Sequence, residues 1–388
     1  MKNVTLFLIL LLVLVGCGGG QAVVSQPDAS GDAATPSPEP SLTPTLTVQE
    51  STPTMAAGGT SPSVPDEMNE RFAITSMSYG NLAQLMEFPV PDVVRAIDFT
   101  PDSRLMAASY GNSSESEVYI WDLDLQELIL VLSGHEGIIW DIAFSPDGKE
   151  LASSSADGTV RIWRTADGEQ LQVLQHPSDI SSVAFSPDGS ILAAGGVREW
   201  PVAAVWLYDT DSWALVDELE AAWNIPGIVF YPERGYIVGG GISRNVSVWS
   251  DTSGEELFLL YHPGQLSALD RDRDGEVLIT APCVESEDSV CVRSELWAWD
   301  MGTGRIAYQA EAYSSDINDM DVSPLGDLLV TVGRSRFIRF HRVEDLYMFA
   351  YFDSFKGSLH AAAFSPDATY LAVGGNEVVQ VWAITSGE

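Results

Sequence analysis

The sequence repeats one pattern seven times between Ile97 and Asp367. Each copy has a short apolar run, a turn marked by Pro or Gly, a second apolar run, and a third run that ends in an aromatic residue. The turn markers recur every 41 to 51 residues. The closing aromatic residues are Trp121, Trp163, Tyr208, Trp249, Trp299, Phe340 and Trp382. Seven equivalent units of this kind predict an all-β chain.

The second unit shows the local chemistry most clearly. In Ile142-Ala143-Phe144 the large side chains lie two positions apart, which places them on one face of a half-buried strand. Ser145-Pro146-Asp147-Gly148 follows, and these residue types reverse the chain at low conformational cost. We therefore assign the repeated Asp residues to turns. A period of about 40 to 45 residues with four short strands per unit predicts a seven-bladed β-propeller over residues 66–388.

The second unit also carries the motifs of a known family. It reads Gly134-His135, then the turn above, then Ala156-Asp157-Gly158, and it ends in Arg161-Ile162-Trp163. With the Trp-Asp pairs that close two other units, this pattern resembles the WD-repeat family. The resemblance implies a buried hydrogen-bonded set of His135, Asp157, Trp163 and either Ser153 or Ser155. Under this interpretation His135 supports the fold and is not a ligand.

A closed ring also needs its last blade completed, because open sheet edges invite aggregation. The final unit ends at Trp382 without an outer strand. Leu82 to Phe88 aligns with the outer-strand position of another unit. We therefore expect this N-terminal strand to close the last blade.

The N-terminus predicts export. Residues 1–16 form a basic start, a short apolar core and a small-residue end, which is typical of a signal peptide. Leu14-Val15-Gly16-Cys17 resembles a bacterial lipobox, and the resemblance implies a lipidated Cys17. An uncleaved anchor and an ordinary signal peptide stay open as alternatives. Residues 17–65 are rich in Pro, Ser, Thr and Gly, a composition that predicts a disordered linker. The expected location is the cell membrane, with the propeller held by lipid on the extracytoplasmic side.

The two other cysteines flank an insertion in the fifth unit. Cys283 and Cys291 predict a disulfide in an oxidising compartment, with two reduced, unrelated thiols as the alternative. The run from Asp270 to Gly275 resembles the start of a calcium loop, but its twelfth position is Ala281 instead of Glu. We therefore expect no metal and no cofactor.

Charge limits the partners. The net charge of −36 excludes nucleic acid as a partner, since nucleic-acid binding demands a basic surface. The same charge argues against direct adsorption to anionic lipid, so membrane contact is expected through the N-terminal lipid of a monomer.

One repeat position is variable and is expected at the mouth of the central channel, the face on which WD-repeat proteins commonly bind partners. The seven residues at this position, here called the mouth ring, are Arg95, Trp140, Ser181, Pro226, Ser267, Asn318 and His360. Trp and Arg are enriched at binding hot spots, so we place an unknown protein partner on Arg95 and Trp140, with Asn318 and His360 beside them. The sequence thus predicts a non-catalytic protein-binding scaffold. The alternative is an extracytoplasmic propeller-fold hydrolase or ligand-binding enzyme.

Overall fold

The structure, a computed structural model, describes residues 74–75, 81–112, 116–200, 202–222, 225–240, 244–287, 290–313, 317–353 and 357–384. All 26 regular elements in this part of the chain are β-strands. The predicted segments 1–16 and 17–65, and with them Cys17, lie outside the described residues.

Six strands from both ends of the described chain form one sheet, here called the closing sheet, in the order β25-β26-β1-β2-β3-β4. Its strands are β1 (Leu82–Phe99), β2 (Leu105–Gly111), β3 (Ser116–Asp122), β4 (Glu127–Ser133), β25 (Leu359–Phe364) and β26 (Tyr370–Ile384).

Five further sheets contain four consecutive strands each. The first two consist of β5 (Ile139–Phe144), β6 (Glu150–Ser155), β7 (Thr159–Arg164) and β8 (Gln170–Gln175), and of β9 (Ile180–Phe185), β10 (Ile191–Glu199), β11 (Val202–Asp209) and β12 (Leu215–Ala222). The third consists of β13 (Gly227–Tyr231), β14 (Tyr236–Gly240), β15 (Asn245–Ser250) and β16 (Glu256–Tyr261). The last two consist of β17 (Leu266–Arg271), β18 (Val277–Glu287), β19 (Val290–Asp300) and β20 (Arg305–Tyr313), and of β21 (Ile317–Val322), β22 (Leu328–Gly333), β23 (Phe337–Arg342) and β24 (Met348–Asp353).

The prediction of seven blades is wrong, because the described strands form a six-bladed propeller. The cause is the length of β1, which has 18 residues. Its first part, from Leu82 to Val93, pairs with β26, and its second part, from Val94 to Phe99, pairs with β2. One strand thereby joins the first repeat unit and the last repeat unit into a single sheet.

The pairing between the two ends of the chain is antiparallel and begins at Leu82 opposite Ile384. Met86 and Phe88 are buried in the core of the closing sheet, and Phe88 stacks on Trp121 with ring centroids 5.2 Å apart. The segment from Leu82 to Phe88 therefore occupies the edge of β26, as the sequence predicted, and adds apolar packing as well as hydrogen bonds.

The innermost strands contact one another in a closed ring, in the order β1, β5, β9, β13, β17, β21, β25 and back to β1. The closing sheet supplies two of these seven inner strands, and each other sheet supplies one. The ring therefore keeps seven equivalent inner positions although it has six sheets.

The repeated turns have the geometry that their residue types predict. In the turn after β5, Ser145 donates to Asp147 over 2.8 Å and the Gly148 amide donates to the Ser145 carbonyl over 2.8 Å. Gly148 has φ +70°, a conformation that glycine adopts without strain. The turns after β9 and β25 repeat the hydroxyl to carboxylate bond, so these Asp residues belong to the fold.

The closing pairing leads to a stability prediction. Deleting residues 66–90 should lower the melting temperature by about 10 °C or more, because β26 loses the strand that pairs with it. The deletion also removes buried side chains such as Phe88, and a single large-to-small change of this kind costs about 3–5 kcal/mol of unfolding free energy. Differential scanning calorimetry measures the shift. Phe88→Ala should reproduce part of it, whereas Glu87→Ala, on the exposed face of the same strand, should not. An unchanged melting temperature after the deletion would contradict the assignment.

Candidate functional site

A channel cavity of about 770 Å³ lies inside the ring of inner strands. All seven residues of the mouth ring line it, at the end of the channel where each inner strand begins. They share one register. Six of them directly follow the first residue of their inner strand, if the inner part of β1 is counted from Val94, and Pro226 directly precedes β13. The structure therefore brings together the positions that the repeat alignment had grouped.

Arg95 and Trp140 form the most distinctive pair of the mouth ring. The guanidinium carbon of Arg95 lies 5.6 Å from the centroid of the Trp140 ring, a cation-π distance. The Nε atom of Arg95 is buried without a hydrogen-bond partner. Burial also lowers the pKa of Arg95 from its usual value, although a guanidinium stays charged at neutral pH.

Asn318 and His360 continue the same side of the ring. The Asn318 amide donates to the Leu359 carbonyl over 2.6 Å, and its nitrogen lies 3.5 Å from Nδ1 of His360. Nε2 of His360 lies 3.3 Å from the side-chain oxygen of Asn376. Burial lowers the pKa of His360, so the imidazole is neutral at pH 7 and offers hydrogen bonds instead of charge.

The other side of the mouth ring has small side chains and no charged group. Ser181 donates to the Ile225 carbonyl over 2.7 Å, and Ser267 donates to the Ala281 carbonyl over 3.0 Å. Pro226 lies between them in ring order and carries no side-chain donor. The four predicted partner-binding residues are therefore consecutive around the ring, in the order Asn318, His360, Arg95 and Trp140.

The predicted buried set of the second unit lies in the sheet β5–β8. Nδ1 of His135 is 2.9 Å from Asp157, and Nε2 of His135 is 2.8 Å from the hydroxyl of Ser153. The indole of Trp163 donates to the same hydroxyl over 2.9 Å. Ser153 therefore holds this position, and Ser155 instead accepts from the Asp157 amide.

Another sheet carries a shorter version of this set that sequence reasoning missed. His262 lies 2.9 Å from the Thr280 hydroxyl, and the Trp299 indole donates to the same hydroxyl over 3.1 Å. Threonine replaces serine in the equivalent register, which is the signal that the repeat alignment contained. The hydrogen bonds from His and Trp to a shared hydroxyl are therefore kept in this sheet without a carboxylate equivalent to Asp157.

Cys283 and Cys291 form a disulfide, with Cα atoms 5.8 Å apart. The bond crosses the extended hairpin of β18 and β19. Within the described part of the chain no group of three or more His, Cys, Asp or Glu residues is arranged to hold a metal ion. The described residues contain no helix that is long and apolar enough to cross a membrane.

Comparisons with known proteins agree with the repeat chemistry. The family model described as "WD domain, G-beta repeat" matches residues 83–122, 126–164, 168–197 and 351–383. These matches, together with the similar proteins below, support a WD-repeat β-propeller family for this chain.

Similar proteins include Jouberin of Mus musculus, 26% identical over 160 residues, which cover 40% of this chain and 15% of that protein. A Periodic tryptophan protein 2 homolog of Dictyostelium discoideum is 26% identical over 171 residues, which cover 38% of this chain and 18% of that protein. The Serine-threonine kinase receptor-associated protein of Gallus gallus is 32% identical over 88 residues, which cover 23% of this chain and 24% of that protein. The chain thus spans less than a quarter of the length of each of these relatives.

The chain also carries five half-buried carboxylates below its mouth ring, which sequence reasoning missed as a group. They are Asp98, Asp141, Asp270, Asp319 and Asp321, and all line the channel. An acidic residue within an inner strand was the available signal, since carboxylates are rarely buried unless they are partnered.

Each of these carboxylates binds a backbone amide of the next inner strand in the ring. Asp98 accepts from the Phe144 amide over 2.7 Å, and Asp141 accepts from the Val183 amide over 3.0 Å. The remaining three acceptors and their donors are Asp270 with Val322 at 2.7 Å, Asp319 with Ala362 at 2.9 Å, and Asp321 with Phe364 at 2.6 Å. The carboxylates therefore tie neighbouring inner strands together.

Burial raises the pKa of these groups although the amide bonds oppose the shift. The pKa rises to about 6 for Asp98 and Asp270 and to about 7 for Asp141 and Asp319. The pKa of Asp321 is also raised well above its usual value, by burial first and by repulsion from Asp270 second. Repulsion among the carboxylates across the channel adds to the cost of charging them together.

These raised pKa values predict that the free energy of unfolding decreases as pH rises. A group whose pKa is higher in the folded state than in the unfolded state stabilises the fold fully below about pH 4 and loses that contribution as pH rises through its folded pKa. Urea denaturation should therefore give a lower free energy of unfolding at pH 8 than at pH 5. Each carboxyl contributes at most about 1.4 kcal/mol per pH unit.

Asp141→Asn should reduce the slope of the unfolding free energy against pH by the equivalent of about one bound proton, because asparagine does not titrate. Asp211→Asn, on an exposed turn, is the matched control and should keep the wild-type slope. A wild-type slope in Asp141→Asn, or stability that increases from pH 5 to pH 8, would contradict the assignment.

Proposed function

We propose that this chain is a lipid-anchored, extracytoplasmic scaffold that binds a protein partner at the mouth ring and performs no chemistry. The WD-repeat propeller fold is consistent with a protein-binding scaffold. The observation that carries the choice of surface is the Arg95 and Trp140 pair, which places a guanidinium over an aromatic ring at the cavity entrance.

The mouth ring matches the chemistry of a protein interface. Trp and Arg dominate interface hot spots because they combine a large apolar surface with directional hydrogen bonds. Asn318 and neutral His360 extend the same surface with hydrogen-bonding groups next to the charged guanidinium. A partner that places a carbonyl or carboxylate near Arg95, an apolar side chain on Trp140 and a hydrogen-bonding group near Asn318 and His360 would use all four residues.

The channel carboxylates support a non-catalytic role for the site. Each accepts at least one backbone hydrogen bond from the neighbouring inner strand, so its oxygens serve the ring. Charge on these groups is disfavoured by burial, and their positions are fixed by backbone atoms. Their raised pKa values follow from this structural arrangement.

The anchoring part of the proposal rests on the sequence around Cys17. Metabolic labelling with a palmitate analogue should label the wild-type chain, and detergent phase partition should place it with the membrane proteins. Cys17→Ser should abolish the labelling and move the chain to the aqueous phase, because only the thiol carries the lipid. The double change Cys283→Ser and Cys291→Ser, which removes both cysteines of the disulfide, is the control for loss of cysteine and should keep the label. Labelling of Cys17→Ser at the wild-type level would refute the anchor.

The binding part is tested by site-specific photo-crosslinking in membranes. A photoreactive phenylalanine analogue at position 140 should yield a discrete adduct with a partner protein, and Arg95→Ala should reduce its yield about tenfold, which is a typical hot-spot effect. The same analogue at position 351, an exposed tyrosine on the outer strand β24, is the control. Equal adducts from both positions, or no effect of Arg95→Ala, would show that the mouth ring is not the binding surface.

A further inference from the structure

A second cavity lies between the sheets β9–β12 and β13–β16 and has a volume of about 540 Å³. It is here called the groove. Ser181 near the start of β9 lines the mouth of the channel, whereas Ser186, just after the end of β9, lines the groove. At about 3.3 Å per residue these two positions are roughly 16 Å apart. The groove is therefore a surface separate from the mouth ring.

One wall of the groove is apolar. Val216 is 59% exposed, and Phe230 and Tyr236 are half-buried beside it in the neighbouring sheet. An aliphatic or aromatic side chain of a partner would cover this wall and remove its apolar surface from water, which is favourable by about 25 cal/mol per Å².

The other lining groups include three carboxylates. Asp188 accepts from the hydroxyls of Ser186 and Ser190, and Asp217 accepts from the Glu218 amide. Asp251 is exposed on the turn that follows β15. In the part of the chain that the structure describes, none of the ion pairs includes any of these three carboxylates.

Equivalent junctions elsewhere in the ring contain their own basic side chain. Between β13–β16 and β17–β20, Arg234 donates to the Gly275 carbonyl over 2.7 Å and pairs with Glu276 at 2.6 Å. Between β5–β8 and β9–β12, Lys149 lines the cavity and pairs with Asp147 at 2.6 Å. The residues that line the groove include carboxylates and apolar groups but no Lys or Arg.

We propose that the groove binds a short basic and apolar peptide segment of a partner protein. A Lys or Arg side chain of that segment lies among Asp188, Asp217 and Asp251, in the role that Arg234 has at the next junction. Its apolar neighbour packs on Val216, Phe230 and Tyr236. The net charge of −36 accelerates the encounter with such a segment. This surface acts independently of the mouth ring and does not rest on the function proposed for it.

The probe is a fluorescein-labelled nine-residue peptide in which lysine and leucine alternate, titrated with the full chain and followed by fluorescence anisotropy. The double change Asp217→Asn and Asp251→Asn should weaken its binding about tenfold. The control is Glu127→Gln with Glu256→Gln, which removes the same charge from exposed positions on two other outer strands and should change binding less than twofold. Equal weakening by both double changes would mean general charge attraction and would overturn the proposal.

Val216→Ser tests the apolar wall and should weaken the same peptide several-fold without lowering the melting temperature, because Val216 is exposed. A peptide in which glutamate replaces lysine should not bind, and binding by that peptide would also overturn the proposal. Sedimentation velocity over a range of concentrations tests whether a second copy of this chain occupies the groove instead. If the chain forms a dimer that Val216→Ser dissociates, a second copy occupies the groove and the proposal is wrong.

Discussion

Closure of the ring depends on the backbone pairing between β1 and β26. Without it both strands expose unpaired amide and carbonyl groups, and the two ends of the repeat array are free to separate. With it, Phe88 packs on Trp121 and the first and last repeat units share one sheet. The mouth ring is continuous across this junction, since His360 precedes it and Arg95 follows it in ring order. The surface proposed to bind a partner therefore exists only when the ring is closed.

A second set of interactions acts at the centre of the ring. The channel carboxylates reach across the gaps between inner strands and accept backbone amides, so they connect neighbouring sheets. They join β1 to β5, β5 to β9, β17 to β21 and β21 to β25. At β9 and β13 the link is different, because Ser182 donates to the Ile225 carbonyl over 2.8 Å. The bonds to the carboxylates involve groups that titrate near neutral pH, whereas the backbone pairing of β1 and β26 does not.

Repeat periodicity predicted the strands, the turns and the grouping of the mouth ring because each follows from local residue types and their spacing. Periodicity gave a wrong number of blades because it cannot show hydrogen bonds between distant segments. Pro89 and Pro91 suggest a break between two strands, yet they lie near the point where β1 changes partners and where a missing amide costs little. The strand therefore continues through them and joins two repeat units.

The channel carboxylates escaped prediction for a related reason. The bound amides lie 42 to 52 residues after each aspartate, which is about one repeat further along the chain. Nothing adjacent in the sequence identifies such a partner. The apolar context of Asp98 or Asp141 shows only that a partner is needed. The cation-π contact between Arg95 and Trp140 likewise joins neighbouring inner strands, so the alignment grouped the two residues without showing that they touch.

Hydrogen-deuterium exchange of the full chain, read by mass spectrometry, tests the closed ring most directly. If the ring is closed, peptides from residues 82–90 and 378–384 are protected to the same degree as peptides from β6 and β7, and the two segments lose protection together as urea is added. Rapid exchange of residues 82–90 while β6 and β7 stay protected would contradict a closed ring, because the ring would then open at this junction under native conditions.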